Sequence, residues 1–131
     1  MSRVPPEGRS QRRIAVIGSR DYPNLEAVRQ FVREQERDTV IISGGARGVD
    51  QAAVEEARRL RMPYEVYPAD WQRHGRRAGA MRNHTIVQKA QEVVAFWDGH
   101  SPGTEITINL TRASKKPVRV FDVAANEQHQ S

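Results

Sequence analysis

The chain has 131 residues, a length that fits one domain, and its formal net charge is +5 at pH 7. It contains no cysteine, which excludes disulfides, thiolate nucleophiles and cysteine-based zinc sites. No apolar run approaches the roughly 20 residues that cross a bilayer, and residues 1–13 lack a hydrophobic signal core, so we expect a cytoplasmic protein without a membrane partner. The spacing of the four histidines predicts no metal site, and we expect no cofactor.

The basic charge is divided between two parts of the chain. Residues 1–12 combine arginines with Pro5 and Pro6 and are predicted to form a flexible basic segment. The folded domain is predicted to cover residues 13–122, and residues 123–131 form a predicted flexible tail. A second basic cluster inside the domain indicates phosphate affinity, because that affinity needs positive charge near the ligand. Its members are Arg73, His74, Arg76, Arg77 and Arg82.

Five short apolar runs predict β-strands at residues 14–17, 40–42, 64–67, 93–97 and 118–121. Their β-branched residues lack strict polar alternation, which is typical of parallel strands covered by helices on both faces. The first helix is predicted to begin at Asn24, and the second to follow Gly48 and to end before Pro63. Two further helices are predicted at residues 76–91 and 104–114. Residues 106–108 would suit a strand equally well, and the spacing of Ile106, Leu110 and Ala113 favours a helix. The alternation predicts an α/β fold, a Rossmann-like three-layer sandwich.

Ligands of such a sheet bind beyond the carboxyl ends of the strands, where the strand order reverses. The first strand ends at Gly18-Ser19-Arg20. Gly18 permits close approach of its backbone, Ser19 and the following amides suit an anion, and Arg20 suits a phosphate or a base. The alternative is an ordinary tight turn with a surface arginine.

The second strand ends at Gly44-Gly45-Ala46-Arg47-Gly48. This turn lacks the Gly-Lys-Ser/Thr ending of a Walker A loop and the spacing of a dinucleotide fingerprint, which argues against a P-loop NTPase. Gly44, Gly45 and Arg47 are candidates for one wall of a ligand site. Asp50 follows, and it either accepts a hydrogen bond from a ribose hydroxyl or caps the next helix.

The segment after the third strand offers Asp70, Trp71 and His74. Trp71 either stacks on a base or packs down as a hydrophobic plug, and its position in a loop favours the plug. No carboxylate lies at a spacing that would make His74 a general base. Arg82 and Asn83 fall within the third predicted helix, where a buried arginine needs an anionic ligand or a carboxylate partner. The alternative is a solvated arginine on an exposed face.

The turn after the fourth strand, residues 98–105, has the strongest features of a site. Its glycines give backbone flexibility, Ser101 supplies a hydroxyl, and Gly103 and Thr104 open a predicted helix. Thr104 either caps that helix or donates to a phosphate. Glu105 suits ribose hydroxyls or Arg82 better than a phosphate.

Together these motifs resemble the SLOG superfamily, the Rossmann-like group named for the Smf/DprA DNA-processing proteins and the Lonely Guy phosphoribohydrolases, and its YspA-like, cpYpsA-related branch in particular. The resemblance runs over residues 13–121 through five motifs, which are residues 17–21, 44–50, 68–71, 82–83 and 101–104. It implies a parallel sheet ordered 3-2-1-4-5 and a nucleotide or nucleotide derivative bound between the loops after strands one and four. It also implies a sensor or processor of nucleotide signals, often in conflict between phages and bacteria.

Lonely Guy enzymes cleave an N-glycosidic bond with an arginine on the third helix and a glutamate in a Pro-Gly-Gly-x-Gly-Thr-x-x-Glu motif. Arg82 matches the arginine, whereas Thr107 occupies the position of the glutamate. Glu105 comes two residues early, an offset of about 200° around a helix. The resemblance therefore implies Arg82 and Glu105 as catalytic candidates, with Glu105 displaced from the motif.

Three functions follow as hypotheses. The first is a nucleotide-binding domain, with phosphate at the amides of Gly18, Ser19, Gly103 and Thr104 beside Arg20 or Arg82, and with ribose near Asp50 or Glu105. The second is an N-glycoside hydrolase acting on nucleoside monophosphates, with Arg82 positioning the substrate and Glu105 or Asp70 as its carboxylate. The third is single-stranded nucleic acid binding by the basic cluster of the domain. The resemblance to Lonely Guy proteins also implies a possible homodimer.

Overall fold

The computed structural model describes residues 11–123 and the backbone of residues 127–130. The strands are β1 Arg13–Gly18, β2 Val40–Ser43, β3 Tyr64–Val66, β4 Glu92–Phe96, β5 Val118–Phe121 and β6 Glu127–Gln130. The helices are α1 Leu25–Arg33, α2 Val49–Arg59, α3 Trp71–His74, α4 Ala78–Lys89 and α5 Pro102–Ala113, with a 3-10 turn at Gly75–Arg77. Of the predicted basic segment, residues 1–10 lie outside the described residues.

The strands form one sheet in the order β3-β2-β1-β4-β5-β6. Strands β1 to β5 are parallel, so the predicted α/β fold with strand order 3-2-1-4-5 is confirmed. Strand β6 is antiparallel and pairs with β5, with Val120 opposite His129. The segment predicted to be a flexible tail thus contains a strand. Its sequence, Glu-Gln-His-Gln, has no apolar pattern, and the pairing depends on the open edge that β5 presents.

Alternate residues of β1 enter two hydrophobic cores, which explains its unbroken apolar run. Ile14 and Val16 pack with α1 and α2 on one face, and Ala15 and Ile17 pack with α4 and α5 on the other. Among the described residues, no helix is both long and apolar enough to cross a bilayer.

Helix α5 buries a different face from the one the sequence predicts. Ile106 is 57% exposed, and the side buried against the sheet carries Thr104, Thr107, Ile108 and Thr111 instead. The hydroxyl of Thr107 donates to the carbonyl of Gly103 at 3.0 Å, and that of Thr111 donates to the carbonyl of Thr107 at 2.7 Å. These bonds remove the cost of burying a hydroxyl. Threonines can therefore occupy the buried face of α5, for which the sequence pattern favoured Ile106.

Candidate functional site

A cavity of about 530 Å³, called the main cavity here, lies beyond the carboxyl ends of β1 and β4. Strand order reverses at β1, so this is the switch point of the sheet. The predicted site residues that line it are Gly18, Ser19, Arg20, Asp50, Trp71, Arg82, Asn83, Ser101, Gly103 and Thr104. Five others do not line it: Gly44, Gly45, Arg47, Asp70 and Glu105.

Buried Ser19 joins the loops after β1 and β4. Its N–H donates to the carbonyl of Phe96 at 3.0 Å, and its hydroxyl accepts the N–H of Asp98 at 3.1 Å. The amide predicted to hold an anion is therefore occupied by the protein. The next two N–H groups, of Arg20 and Asp21, have no hydrogen-bond partner within residues 11–123, and both residues line the main cavity.

Asp98 organises the turn that leads into α5, a role that the sequence analysis missed. Its carboxylate accepts the N–H groups of His100 at 2.8 Å and Ser101 at 2.9 Å, and also the hydroxyl of Ser101. Burial raises the pKa of Asp98, but these hydrogen bonds outweigh burial and hold the pKa below its ordinary value. The Asp-Gly pair that ends the strand is the signal that could have indicated this turn.

The N-terminus of α5 faces the main cavity without a cap. The Ser101 hydroxyl bonds to Asp98, so α5 has no side-chain cap, and Pro102 has no N–H. In the described part of the chain, the N–H groups of Gly103 and Thr104 have no partner. Both residues line the cavity, and a Cβ built on Gly103 would meet nothing within 4 Å. Free N–H groups at the positive end of a helix dipole form an anion-binding geometry.

The turn after β2 is held in place by hydrogen bonds to residues of its own chain. Asp50 is 5% exposed, and its Oδ2 accepts the N–H of Gly44 at 3.1 Å and of Ala46 at 3.3 Å. The N–H of Gly45 donates to the Ser43 hydroxyl at 3.1 Å. The amides of Gly44 and Gly45 are thus occupied, and these residues shape a wall instead of offering donors. Asp50 therefore stabilises this turn, a role that differs from both predicted alternatives, a ribose contact and a helix cap.

Burial raises the pKa of Asp50 from an ordinary value of 3.8 to about 6. The N–H of Ala46, the charge of Arg82 and the N–H groups of Gly44 and Gly18 oppose that rise. An acid with a higher pKa in the folded state stabilises the fold at low pH and loses that stabilisation as the pH rises. Because one pKa unit corresponds to about 1.4 kcal/mol, ionising Asp50 costs about 3 kcal/mol of stability.

Wild-type protein is therefore expected to lose stability relative to the Asp50→Asn variant as the pH rises. Between about pH 4 and pH 7, the free energy of unfolding of the wild type should fall by about 2 kcal/mol relative to that of the variant. Denaturant unfolding at several pH values measures this shift. The asparagine oxygen can still accept the turn hydrogen bonds, and an amide does not titrate, so any change that it makes to the turn is independent of pH. A difference that stays constant with pH would contradict the prediction.

Arg82 is half-buried at the junction of several cavities. Its Nη1 donates to the carbonyl of Gly44 at 2.8 Å, and its Nε donates to Oδ1 of Asn83 at 3.0 Å. It borders the main cavity and two smaller ones beside it. The alternative of a solvated arginine on an exposed face is wrong, because Arg82 is held between the Gly44 turn and the cavity.

Trp71 and Arg76 stand at the rim of the main cavity. Trp71 is 54% exposed, so the prediction of a hydrophobic plug is wrong. The reason is that Asp70 caps α3, accepting the N–H of Arg73 at 3.1 Å, and this cap places Trp71 on the first turn, above Gly79. Arg76 lines the cavity although the sequence analysis did not select it individually. Its only sequence signal is its membership of the basic cluster.

The carboxylates predicted for hydrolysis lie elsewhere. Glu105 is exposed on α5 outside the lining of the main cavity, and Asp70 borders a neighbouring cavity with His74. Thr107, at the glutamate position of the Lonely Guy motif, lines the main cavity, where the carboxylates are Asp21 and Asp50. Within the described residues, no group of three His, Asp or Glu side chains could hold a metal ion.

A parallel sheet with helices on both faces and a cavity at its switch point defines a Rossmann-like α/β domain. The chain belongs to the YspA, cpYpsA-related SLOG family (YAcAr), which matches residues 12–74, and this confirms the resemblance stated above. Membership of this family places the chain broadly among nucleotide- or nucleic-acid-processing domains.

Two similar proteins bear on this assignment. The Gene 61 protein of Mycobacterium phage D29 is 31% identical over 120 residues, which cover 84% of this chain and 96% of that protein. The X-ray structure of DNA processing protein A (DprA) from Streptococcus pneumoniae matches with a TM-score of 0.69 and 21% identity. That match covers 86% of this chain and 50% of DprA, so this chain corresponds to half of the DprA chain, and the likeness shows the fold.

Proposed function

We propose that this chain binds a nucleotide or nucleotide derivative in the main cavity, as a sensor or processor of a nucleotide signal. The observation that carries the proposal is the uncapped N-terminus of α5, where the N–H groups of Gly103 and Thr104 face the cavity. A phosphate would accept both N–H groups and satisfy donors that a helix otherwise leaves to water.

The charges of the cavity favour an anionic ligand. Three arginines line the main cavity, Arg20, Arg76 and Arg82, against the carboxylates of Asp21 and Asp50. Residues 11–123 provide no ion pair for Arg20 or Arg76. Guanidinium groups bind phosphate oxygens through paired hydrogen bonds, so their presence beside α5 adds to the helix dipole.

The size and rim of the cavity suit a nucleoside better than a free phosphate. About 530 Å³ lies within the range of small-molecule sites. The exposed ring of Trp71 offers a face on which a base stacks, a contact worth about 1–3 kcal/mol. Binding is favoured over glycoside hydrolysis because Glu105 and Asp70 lie outside this cavity.

The test compares two substitutions of Gly103 that have similar volume and different charge. Gly103→Asp places a negative charge where the phosphate is proposed to bind, whereas Gly103→Asn is neutral. Open space around Gly103 allows both to fold, and an acidic residue in the first turn favours a helix. We expect the aspartate variant to bind nucleoside 5′-monophosphates about tenfold more weakly than the asparagine variant, a difference of about 1.4 kcal/mol.

Isothermal titration calorimetry with the four common ribonucleoside 5′-monophosphates measures this difference, and thermal unfolding checks the fold of each variant. The same incubations are assayed for released base, which would favour the hydrolase hypothesis instead. The proposal fails if the wild type binds none of the four nucleotides, or if the two variants bind equally.

A further inference from the structure

A second, smaller cavity adjoins the main cavity on the side of the Gly44 turn. We call it the annex; its volume is about 270 Å³. It is lined by Arg20, Gly44, Gly45, Ala46, Arg47, Ala69, Trp71 and Arg82. Four of these, Arg20, Ala46, Trp71 and Arg82, also line the main cavity. The two cavities therefore share a wall, and one ligand could extend from one into the other beside Trp71.

The annex concentrates positive charge. Of the described residues that line it, three are arginines and none is a carboxylate. Arg20 and Arg47 form no ion pair within residues 11–123, and Arg82 donates to the neutral oxygens of Gly44 and Asn83. Neighbouring guanidinium groups repel one another, and an anion between them removes that repulsion.

Asp50 interacts with the charge of Arg82, but it does not line the annex. Its carboxylate lines the main cavity and lies beneath the turn, where it accepts the N–H groups of Gly44 and Ala46. Since those N–H groups are occupied, an anion in the annex would be bound by side chains and not by backbone donors. Hydrogen bonds from Gly44, Gly45 and Ala46 hold the turn, and Gly45 and Gly48 allow its positive φ angles of 75° and 84° on either side of Arg47.

We infer that the annex binds a second phosphoryl group of the nucleotide proposed for the main cavity. This inference rests on the proposed function and narrows the class of ligand. Gly103 and Thr104 border only the main cavity, whereas Gly45 and Arg47 border only the annex. The two phosphoryl groups therefore occupy different compartments, which matches phosphates on two positions of the ribose better than a diphosphate chain at one position.

The test titrates adenosine and guanosine nucleotides in three phosphorylation states: 5′-monophosphate, 5′-diphosphate and 3′,5′-bisphosphate. Because a second phosphoryl group adds charge-assisted hydrogen bonds, we expect the bisphosphate to bind the wild type at least about tenfold more tightly than the monophosphate. In Arg47→Gln, the ratio of these two affinities should fall about tenfold, towards one. The 5′-diphosphate should show a smaller preference than the bisphosphate.

The matched control is Arg61→Gln, which removes the same charge from an exposed position between α2 and β3, at the other end of the sheet. This control should keep the wild-type ratio. A wild-type ratio near one, or a ratio that Arg47→Gln leaves unchanged, overturns the inference while nucleotide binding itself stands. If none of the nucleotides binds, the proposed function fails, and the inference fails with it.

Discussion

The Arg82→Gln variant is expected to bind nucleoside 5′-monophosphates about 100-fold more weakly than the wild type. Arg82 borders the main cavity and the annex, and its guanidinium is already positioned by the Gly44 carbonyl and Asn83. A preorganised, partly buried cation loses little entropy on binding a phosphate, so removing it costs close to the upper limit for a charge-assisted hydrogen bond, about 3 kcal/mol. Isothermal titration calorimetry at fixed ionic strength measures the loss.

Two further variants separate charge from geometry at this position. Arg82→Lys keeps the charge but loses the planar fork, and we expect an intermediate loss of about tenfold. Arg61→Gln controls for the change in net charge and should stay within about twofold of the wild type, because exposed charges at the other end of the sheet are screened by salt. An Arg82→Gln affinity equal to that of Arg61→Gln would show that Arg82 does not contact the ligand.

The Gly18→Ala variant is expected to lose about 4 kcal/mol of unfolding free energy. A Cβ at Gly18 would lie within 3.0 Å of the Phe96 carbonyl oxygen and 2.7 Å from Cγ2 of Val49. Neither neighbour moves easily, since Phe96 pairs with Gly18 in the sheet and Val49 is fully buried at the start of α2. The substitution therefore pushes apart β4 and α2, which the glycine allows to approach closely.

Urea unfolding of Gly18→Ala measures this loss, with Gly103→Ala as the matched control. A Cβ at Gly103 meets nothing within 4 Å, so the control should change stability by no more than about 0.5 kcal/mol. If Gly18→Ala is as stable as Gly103→Ala, the close approach of β1, β4 and α2 at this point is not required by the fold.

The elements of the fold were largely predictable because their signals are local. Unbroken β-branched runs indicated buried parallel strands, and β1 to β5 are found at or within two residues of the predicted runs. The short helix α3 was missed, since four residues starting at Trp71 are too few to show a helical period. The side of α5 that faces the sheet was also mistaken, because the back-bonding that makes Thr107 and Thr111 compatible with burial is not visible in a hydrophobicity pattern.

The sequence predicted residues that line the candidate site, but not the hydrogen bonds that these residues form. Glycine turns at strand ends indicated where a ligand would lie, and the main cavity is there. Which donors are free depends on partners far away in sequence. The Ser19 N–H donates to the carbonyl of Phe96 on β4, and Arg82 donates to the carbonyl of Gly44, 38 residues earlier. No spacing rule links such pairs, so the sequence could not show that the Ser19 amide is occupied.

By itself the sequence determined the class of fold, the family resemblance and the edge of the sheet where a site belongs, because periodicity and strand-end motifs are properties of neighbouring residues. Only the tertiary structure decided which groups face that site. In the folded chain the Ser101 hydroxyl bonds to Asp98, so the N-terminus of α5 remains uncapped. Asp50 accepts hydrogen bonds from the turn that carries Arg47. The physical reason is that the groups which the folded chain brings together decide which donors, acceptors and charges are satisfied and which remain free.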